Sequence, residues 1–379
     1  MRNLNWFLII FLFLACSSIP MGKTNSLEDI ILQLNEHFNK KVGEKIPGAV
    51  ILFIRDGEIY YTQAFGYKDL ANREIMTVDS IFQVASISKS ICALGTMKLV
   101  EDGIITLDEP VEKYLTRWQI PSSRYQTKDV TFRRLLNHTA GISVQGFLGY
   151  SPKNGLPTIE QSLLGNTGTV YRMTPVRIKN EPGKKWDYSG GGYTILQLAI
   201  EEITGKRFSE YMYENVFQKM NMNNSFYTFN GSLESKLAKP YNNFLFQIPS
   251  YLYSEEAAAG LYTTVDDLAK VIIEMMKCYH SERNDLIINR STLLLMLNSP
   301  VSINNESKWD SMGLGYFISN IGNGIRTYGH SGSNRGWRAH YEFSLDTKDG
   351  IIILTNGNRG SKNLIMPIVI EWRKHIGNK

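Results

Sequence analysis

A serine and a lysine three positions apart are the residues of this 379-residue chain best suited to nucleophilic chemistry. Ser86-Ile87-Ser88-Lys89 is the only segment with that spacing, and it follows an apolar run at residues 81–85. If an amphipathic helix begins here, the two side chains share a face, because positions i and i+3 are neighbours. A serine hydroxyl needs a base to become a nucleophile, and a helix N-terminus favours negative charge there. The alternative is a capping serine with a solvent-exposed lysine, and this segment alone does not separate the two.

A tyrosine stands just before a run of three glycines. Tyr188 lies on the loop ahead of a helix that we predict over residues 193–204. A tyrosine can act as a general base when nearby cations stabilise its phenolate, and Lys89 could supply that charge. The alternative is a packed aromatic ring with a satisfied hydroxyl. Tyr213 and Tyr241 are each followed by asparagine two positions later, but one lies inside a predicted helix and the other precedes none, so we prefer Tyr188.

The third group of polar residues follows a strand predicted over residues 325–328. His330 could orient or protonate groups in a cleft, and Gly332 would let a substrate lie against the strand edge. The backbone N–H groups of Ser333 and Ser86 would form an oxyanion hole, in which each donor is worth about 3 kcal/mol. The alternative is a strand-end histidine whose ring is satisfied by the backbone.

The predicted elements are typical of an α+β protein. Asp56-Gly57 joins two β-rich segments into a hairpin, because this dipeptide suits a two-residue turn. Strands are predicted over residues 49–55, 58–66, 314–318, 325–328, 340–344 and 351–355, and helices over residues 26–40, 86–102, 193–204, 208–219, 264–277 and 364–376. We therefore expect one antiparallel sheet formed by both chain ends and flanked by helices, with a mostly helical insertion over about residues 107–260.

Other patterns argue against several protein classes. Residues 329–333 nearly match the nucleophile elbow G-x-S-x-G, but Ser333 replaces the last glycine and no helix follows. No metal-binding motif is present, so we expect no metal and no cofactor. A net charge of +5 without a long basic block argues against nucleic acid as a partner. Cys92 and Cys278 stand in apolar segments and are expected to be free and buried.

Taken together, the motifs resemble those of the class C β-lactamase-like serine hydrolases. That family belongs to the superfamily of penicillin-binding proteins and β-lactamases, and it includes D-alanyl-D-alanine peptidases and family VIII esterases. Its pattern is S-x-x-K, then Y-x-N, then K-T-G or H-x-G. The similar segments here are Ser86 to Lys89, Tyr188 to Gly190 and His330 to Gly332, with further family-like stretches at residues 135–142, 182–183 and 258–264. The resemblance covers about residues 46–356.

The resemblance implies acyl transfer through a covalent intermediate. Ser86 is acylated, Lys89 and Tyr188 share a proton and act together as the base, His330 assists, and water frees the enzyme. Gly190 stands where penicillin-active members carry the asparagine that holds the substrate amide. His330 stands where many carry lysine, and a neutral histidine binds a carboxylate more weakly. We therefore expect a small-molecule or peptide substrate with an ester or neutral amide bond.

Two alternatives to this function remain open at this point. One is a β-lactamase or a D-alanyl-D-alanine carboxypeptidase, which the family as a whole would allow. The other is a non-catalytic sensor or binding protein of the penicillin-binding type. Turnover of any ester or peptide would separate the second alternative from the enzymes.

The first 22 residues are typical of a targeting segment. Residues 6–15 form an unbroken apolar run behind Arg2, too short for a bilayer but suited to a signal peptide. Cys16 follows Phe-Leu-Ala, which loosely resembles the box that precedes a lipidated cysteine. Ordinary cleavage near Cys16 is the alternative. We therefore predict a signal peptide over residues 1–22 and a hydrolase domain over residues 26–379. We also predict export to the periplasm or the cell surface, with a membrane anchor if Cys16 is lipidated.

Overall fold

A computed structural model describes residues 26–41, 44–166, 174–228, 231, 233–281, 287–298, 300–303 and 309–379. The predicted signal peptide and Cys16 lie outside these residues. The strands, in chain order, are β1 (Gly48–Arg55), β2 (Glu58–Asp69), β3 (Glu74–Ile75), β4 (Phe82–Gln83), β5 (Tyr262–Thr263), β6 (Val301–Ser302), β7 (Ser311–Met312), β8 (Phe317–Asn320), β9 (Arg326–Asn334), β10 (Trp337–Phe343) and β11 (Gly350–Thr355).

Both ends of the chain contribute to one antiparallel sheet. Its order is β3-β2-β1-β11-β10-β9-β8-β7-β6, so strands from the beginning and the end of the chain meet where β1 pairs with β11. The hairpin between β1 and β2 turns at Asp56 and Gly57, whose φ angles are +55° and +82°. Those angles suit aspartate and glycine, which explains why the hairpin could be predicted. The α+β architecture with a sheet built by both ends is confirmed.

Helices cover both faces of the sheet. They are α1 (Leu27–Lys41), α2 (Ile87–Glu101), α3 (Phe132–Leu136), α4 (Ile159–Leu163), α5 (Gly190–Thr204), α6 (Phe208–Met212), α7 (Val265–His280), α8 (Arg290–Leu297) and α9 (Met366–Gly377). Helices α1 and α9 pack together against one face of β1 and β11, and the larger core with α2, α5 and α7 lies on the other face. The sheet thus separates two apolar layers, as expected for packed elements of this kind.

Helix α2 lies inside the larger core and not at its surface. Twelve of its fifteen residues are buried, on every side of the helix. The prediction of an amphipathic helix at this position was therefore wrong. Polar Ser88, Lys89, Ser90 and Thr96 are enclosed with the apolar residues, because α2 is surrounded by the sheet and by the helical insertion. A lysine in such a place must find polar partners or lose its charge.

The elements that differ from their predicted bounds include β9, α5 and the helix predicted over residues 208–219. Strand β9 continues to Asn334, because β10 pairs with it along that whole length, so His330 and Ser333 lie within a strand and not beyond its end. Helix α5 begins at Gly190, where Ser189 caps it by accepting the Gly192 N–H. The helix predicted over residues 208–219 consists of α6 followed by one π-helical turn over Tyr213–Phe217. Local propensity gave no signal for the longer β9, since the glycine, serine and histidine of residues 329–333 favour neither element strongly.

Candidate active site

Ser86 stands at the N-terminus of α2 but does not cap it. Its hydroxyl makes no bond to the first turn, so the alternative of a capping serine is not supported. Ala85, just before it, has a φ of +50°, a strained angle for a residue with a side chain. Ser88 stabilises this turn by donating to the Ala85 carbonyl (2.5 Å) and accepting the Leu261 N–H (3.0 Å). The strained turn presents the Ser86 hydroxyl away from its own helix.

Lys89 is enclosed beside that hydroxyl. Its side chain is 2 % exposed, and Nζ lies 3.2 Å from Ser86 Oγ. Nζ also donates to the Ala258 carbonyl at 2.6 Å, on the π-helical turn Glu256–Gly260 that precedes β5. Burial lowers the pKa of Lys89 to about 7. Because a neutral amine has a lone pair, Lys89 can take the Ser86 proton near neutral pH.

Tyr188 reaches the same serine from the loop that precedes α5. Its hydroxyl is hydrogen-bonded to Ser86, and Lys89 Nζ lies 5.0 Å from the centre of its ring. Burial raises the pKa of Tyr188 well above its usual value, although the bond to Ser86 opposes this shift. The structure therefore favours a neutral Tyr188 hydroxyl, and it favours Lys89 over a tyrosine phenolate as the proton acceptor. The other tyrosines of this spacing do not join the site: Tyr213 is exposed, and Tyr241 donates its hydroxyl to Asp69.

His138 holds Tyr188 in place, and sequence reasoning missed it. Its carbonyl accepts the Asp187 N–H (2.8 Å), its Nδ1 accepts the Ser189 N–H (3.1 Å), and its ring lies 4.3 Å from the Tyr188 ring. The histidine is 1 % exposed and has a φ of +61°. Burial, Lys89 and His330 hold its pKa well below the usual value, so the ring is neutral. The segment that contains His138 was recognised only as family-like, and nothing local indicated the long-range contact.

His330 faces the site from β9 as a neutral ring. Its Nδ1 lies 2.7 Å from the Ser331 carbonyl and donates to it, and its ring lies 6.2 Å from that of Tyr188. Burial and the nearby Lys89 lower its pKa to about 3. Nε2 is buried and has no hydrogen-bond partner within the described part of the chain. His330 thus gives the β9 side of the site an uncharged hydrogen-bond acceptor and no positive charge.

Gly332 lets β9 lie directly against the turn before the nucleophile. A Cβ atom at this position would meet the Val84 carbonyl oxygen at 2.0 Å and Ala85 Cβ at 3.2 Å. The space predicted for substrate is therefore filled by the chain itself, and glycine is needed for the approach of two backbones. The oxyanion hole formed by the N–H groups of Ser86 and Ser333 stays a prediction.

Gly190 lies under a neighbouring loop. A Cβ atom here would meet the Gln145 carbonyl oxygen at 3.0 Å and the Phe147 ring at 3.1 Å, and the Gly190 N–H donates to that same carbonyl. No side chain can project from this position toward Ser86 without moving the loop. Gly190, at the position where penicillin-active members carry the substrate-binding asparagine, is therefore covered by this loop.

Neither a metal cluster nor a membrane-spanning helix is found among the described residues. No group of three or more histidine, cysteine, aspartate or glutamate side chains there could hold a metal ion. None of the helices described is long and apolar enough to cross a membrane. Cys92 and Cys278 are free and buried, as predicted.

Comparison with known proteins identifies the family. The beta-lactamase family matches residues 33–368. Penicillin-binding protein 4* of Bacillus subtilis is 26% identical over 332 residues, which cover 83% of this chain and 69% of that protein. The octameric penicillin-binding protein homologue of Pyrococcus abyssi has a TM-score of 0.72 and 26% identity, covering 91% of this chain and 77% of the other.

The fold is also shared with a more distant enzyme. D-amino acid amidase of Ochrobactrum anthropi has a TM-score of 0.74 at 20% identity, over 92% of this chain and 99% of that one. An identity this low shows a common fold and no more. The family match, however, extends over most of the chain and includes every segment of the site. This chain belongs to the beta-lactamase family and is a serine hydrolase.

Proposed function

We propose that the enzyme hydrolyses carboxylic esters or amides that carry no carboxylate near the scissile bond, through an acyl-enzyme on Ser86. The observation that carries the reaction is the buried Lys89 amine, 3.2 Å from Ser86 Oγ with a pKa of about 7. A nucleophile and a base within hydrogen-bond reach are what acyl transfer by a serine requires. The sequence interpretation named the same pair.

In the first half of the reaction, Ser86 Oγ attacks the substrate carbonyl carbon. The Ser86 proton passes to the Lys89 amine, and the N–H groups of Ser86 and Ser333 hold the oxyanion. The C–O or C–N bond then breaks, and the neutral Tyr188 hydroxyl can pass a proton to the leaving group and recover one from Lys89. In the second half, water attacks the acyl carbon, gives its proton to Lys89, and Ser86 leaves protonated.

The substrate preference follows from the charge of the wall formed by β9. A substrate carboxylate would need a cation there, and the His330 ring is neutral because its pKa is about 3. The carboxylate would instead lose its hydrating water on binding without gaining a positively charged partner, which is unfavourable. The similar proteins include a penicillin-binding protein and an amidase, which supports amide or ester chemistry in general. Because one of them is a penicillin-binding protein, the carboxylate-bearing β-lactams and D-alanyl-D-alanine peptides are the second candidate substrates.

Two esters of matched length test this proposal: p-nitrophenyl butyrate, which is neutral, and p-nitrophenyl hemisuccinate, which ends in a carboxylate. The wild type should prefer butyrate, and Ser86→Ala should turn over neither while keeping its circular dichroism spectrum. His330→Lys should improve the hemisuccinate-to-butyrate ratio of kcat/KM about tenfold or more, since a hydrogen bond to a charged group contributes about 1.5–3 kcal/mol.

Four outcomes would contradict the proposal. A wild-type preference for hemisuccinate, or faster hydrolysis of a cephalosporin than of either ester, would favour the penicillin-type candidates. Turnover that survives Ser86→Ala would remove Ser86 from the mechanism. If no ester, peptide or β-lactam is turned over, the result would favour a non-catalytic sensor or binding protein.

We also propose that the enzyme is exported, as a hydrolase domain over residues 26–379 behind a targeting segment over residues 1–22, in which cleavage precedes Cys16 and Cys16 carries a lipid. The apolar run and the cysteine that follows it support this. Labelling of the full chain with a radioactive fatty acid should mark the wild type and not Cys16→Ser. If both variants remain unlabelled and are released as soluble proteins, ordinary cleavage is correct. If both stay in the cytoplasm at full length, export itself is excluded.

A further inference from the structure

A second serine, on the other side of β9 from Ser86, is hydrogen-bonded to a buried histidine and carboxylate. Ser331 Oγ lies 3.0 Å from His340 Nδ1, and His340 Nε2 lies 3.1 Å from Glu342 Oε2. Ser331 and His340 are direct partners in the register of β9 and β10. Glu342 follows His340 by two residues and therefore projects from the same face of the strand. These three residues, which we term the β9–β10 relay, belong to the segment that nearly matches a nucleophile elbow and to the strand after it.

The protonation pattern of the β9–β10 relay follows from its buried end. Burial raises the pKa of Glu342, but the bond to His340 and the charge of Arg373 outweigh it, so that the pKa is lowered. Arg373 on α9 donates to both carboxylate oxygens, at 2.7 and 3.0 Å. An ionised Glu342 accepts the Nε2 proton of His340, which leaves the Nδ1 lone pair to accept the Ser331 hydroxyl. The arrangement is serine, histidine base and orienting carboxylate in the order of a catalytic triad.

The β9–β10 relay combines an accessible serine with an inaccessible base. Ser331 is exposed, whereas His340 is 3 % and Glu342 is 0 % exposed. The Trp309 ring stacks on the imidazole with centroids 6.0 Å apart and planes 22° apart, which fixes its orientation. Within the described residues, β8 pairs with β9 only as far as Gly329, so the edge that carries Ser331 is not covered by that strand. A reagent can therefore reach the hydroxyl from solvent.

We propose that Ser331 is a second activated serine, which His340 and Glu342 make nucleophilic toward small fluorophosphonates. With a fluorophosphonate, the Ser331 Oγ–P bond forms and the P–F bond breaks. Fluoride leaves with the electron pair of that bond. The Ser331 proton moves to His340 Nδ1, and Glu342 stabilises the resulting imidazolium. This activity does not depend on Ser86, because His330 and Gly332 point to the opposite face of the strand.

The test uses Ser86→Ala, treated with a fluorophosphonate and analysed by intact mass and peptide mapping. One adduct on Ser331 is expected. Ser333 provides the matched control, because it is exposed on the same face of the same strand and has no histidine partner in the described structure. It should remain unmodified. Adding Glu342→Gln should slow the modification of Ser331 at least about tenfold, because the amide cannot orient and stabilise the imidazolium in the same way.

The single variant Glu342→Gln, which retains Ser86, reports on the fold. Modification of Ser86 at the wild-type rate would show that the exchange leaves the domain intact. The proposal is overturned if Ser86→Ala gains no mass under conditions that fully modify the wild type, or if Ser331 and Ser333 react equally. It is also overturned if Glu342→Gln leaves the Ser331 rate unchanged, and the relay would then serve only to attach α9 to the sheet.

Discussion

Lowering the pH below 7 should switch off this enzyme, because Lys89 then holds a proton and cannot accept one from Ser86. Burial lowers the Lys89 pKa from the usual 10.5 to about 7. If kcat/KM follows the neutral fraction of the amine, activity at pH 8 is about nine-tenths of its plateau. By the same relation, it falls to about a tenth at pH 6 and about a hundredth at pH 5.

The assay is kcat/KM for a neutral p-nitrophenyl ester from pH 5 to 9, followed at the isosbestic wavelength of the released phenol. The rate at which a fluorophosphonate modifies Ser86 gives a second pH profile, which does not depend on the ionisation of that phenol. Tyr188→Phe is the informative variant, because burial raises the Tyr188 pKa far above the range tested. It should lower the plateau by about 100-fold or more, as loss of a proton-transfer group does. It should leave the inflection near pH 7.

Two results would refute this reasoning. A profile that is flat from pH 5 to 9, or one that is still rising at pH 9, would mean that Lys89 is not the base or is not desolvated. An inflection that moves by more than a pH unit in Tyr188→Phe would show that the proton belongs to the pair. That outcome would restore the shared base that the sequence motif implied.

Three further variants test the packing of the site. Lys89→Met should lack activity and should be most stabilised relative to wild type below pH 7. The unfolded wild type binds more protons than the folded form between pH 7 and 10.5, so its unfolding free energy should rise by about 2 kcal/mol from pH 7 to 9 in urea titrations. The variant should show no such rise. A rise of equal size in both proteins would contradict the prediction. Gly332→Ala should destabilise the domain by about 1–3 kcal/mol or more and reduce activity, because its Cβ would meet the Val84 carbonyl at 2.0 Å. Gly57→Ala, where φ is +82° and nothing lies within 4 Å, should lower the unfolding free energy only by the strain of about 1–2 kcal/mol and leave kcat/KM unchanged. Equal activity losses in the two glycine variants would show that the contact at Val84 is not important.

Much of the fold could be predicted because its signals are local. Asp56-Gly57 turns the first hairpin with two positive φ angles, and Ser26 caps α1 by accepting the Asp29 N–H at 3.1 Å. Thr264 caps α7 in the same way through the Asp267 N–H. Each signal involves residues within a few positions of one another, so it acts before any tertiary contact forms. The end of β9 was missed because residues 330–334 form a strand only through pairing with β10.

The sequence by itself determined that Ser86 and Lys89 stand together, since a helical turn places positions i and i+3 on one face. The enclosure of α2 in the tertiary structure turns the lysine toward the serine, at 3.2 Å, and not toward solvent. The tertiary structure alone decided how these groups are protonated. The Lys89 pKa is low and the Tyr188 pKa is high because distant segments bury both. Desolvation and strand register depend on residues far apart in the chain, and a spacing pattern contains neither. The same holds for Ser331 and His340, which only the pairing of β9 with β10 brings together.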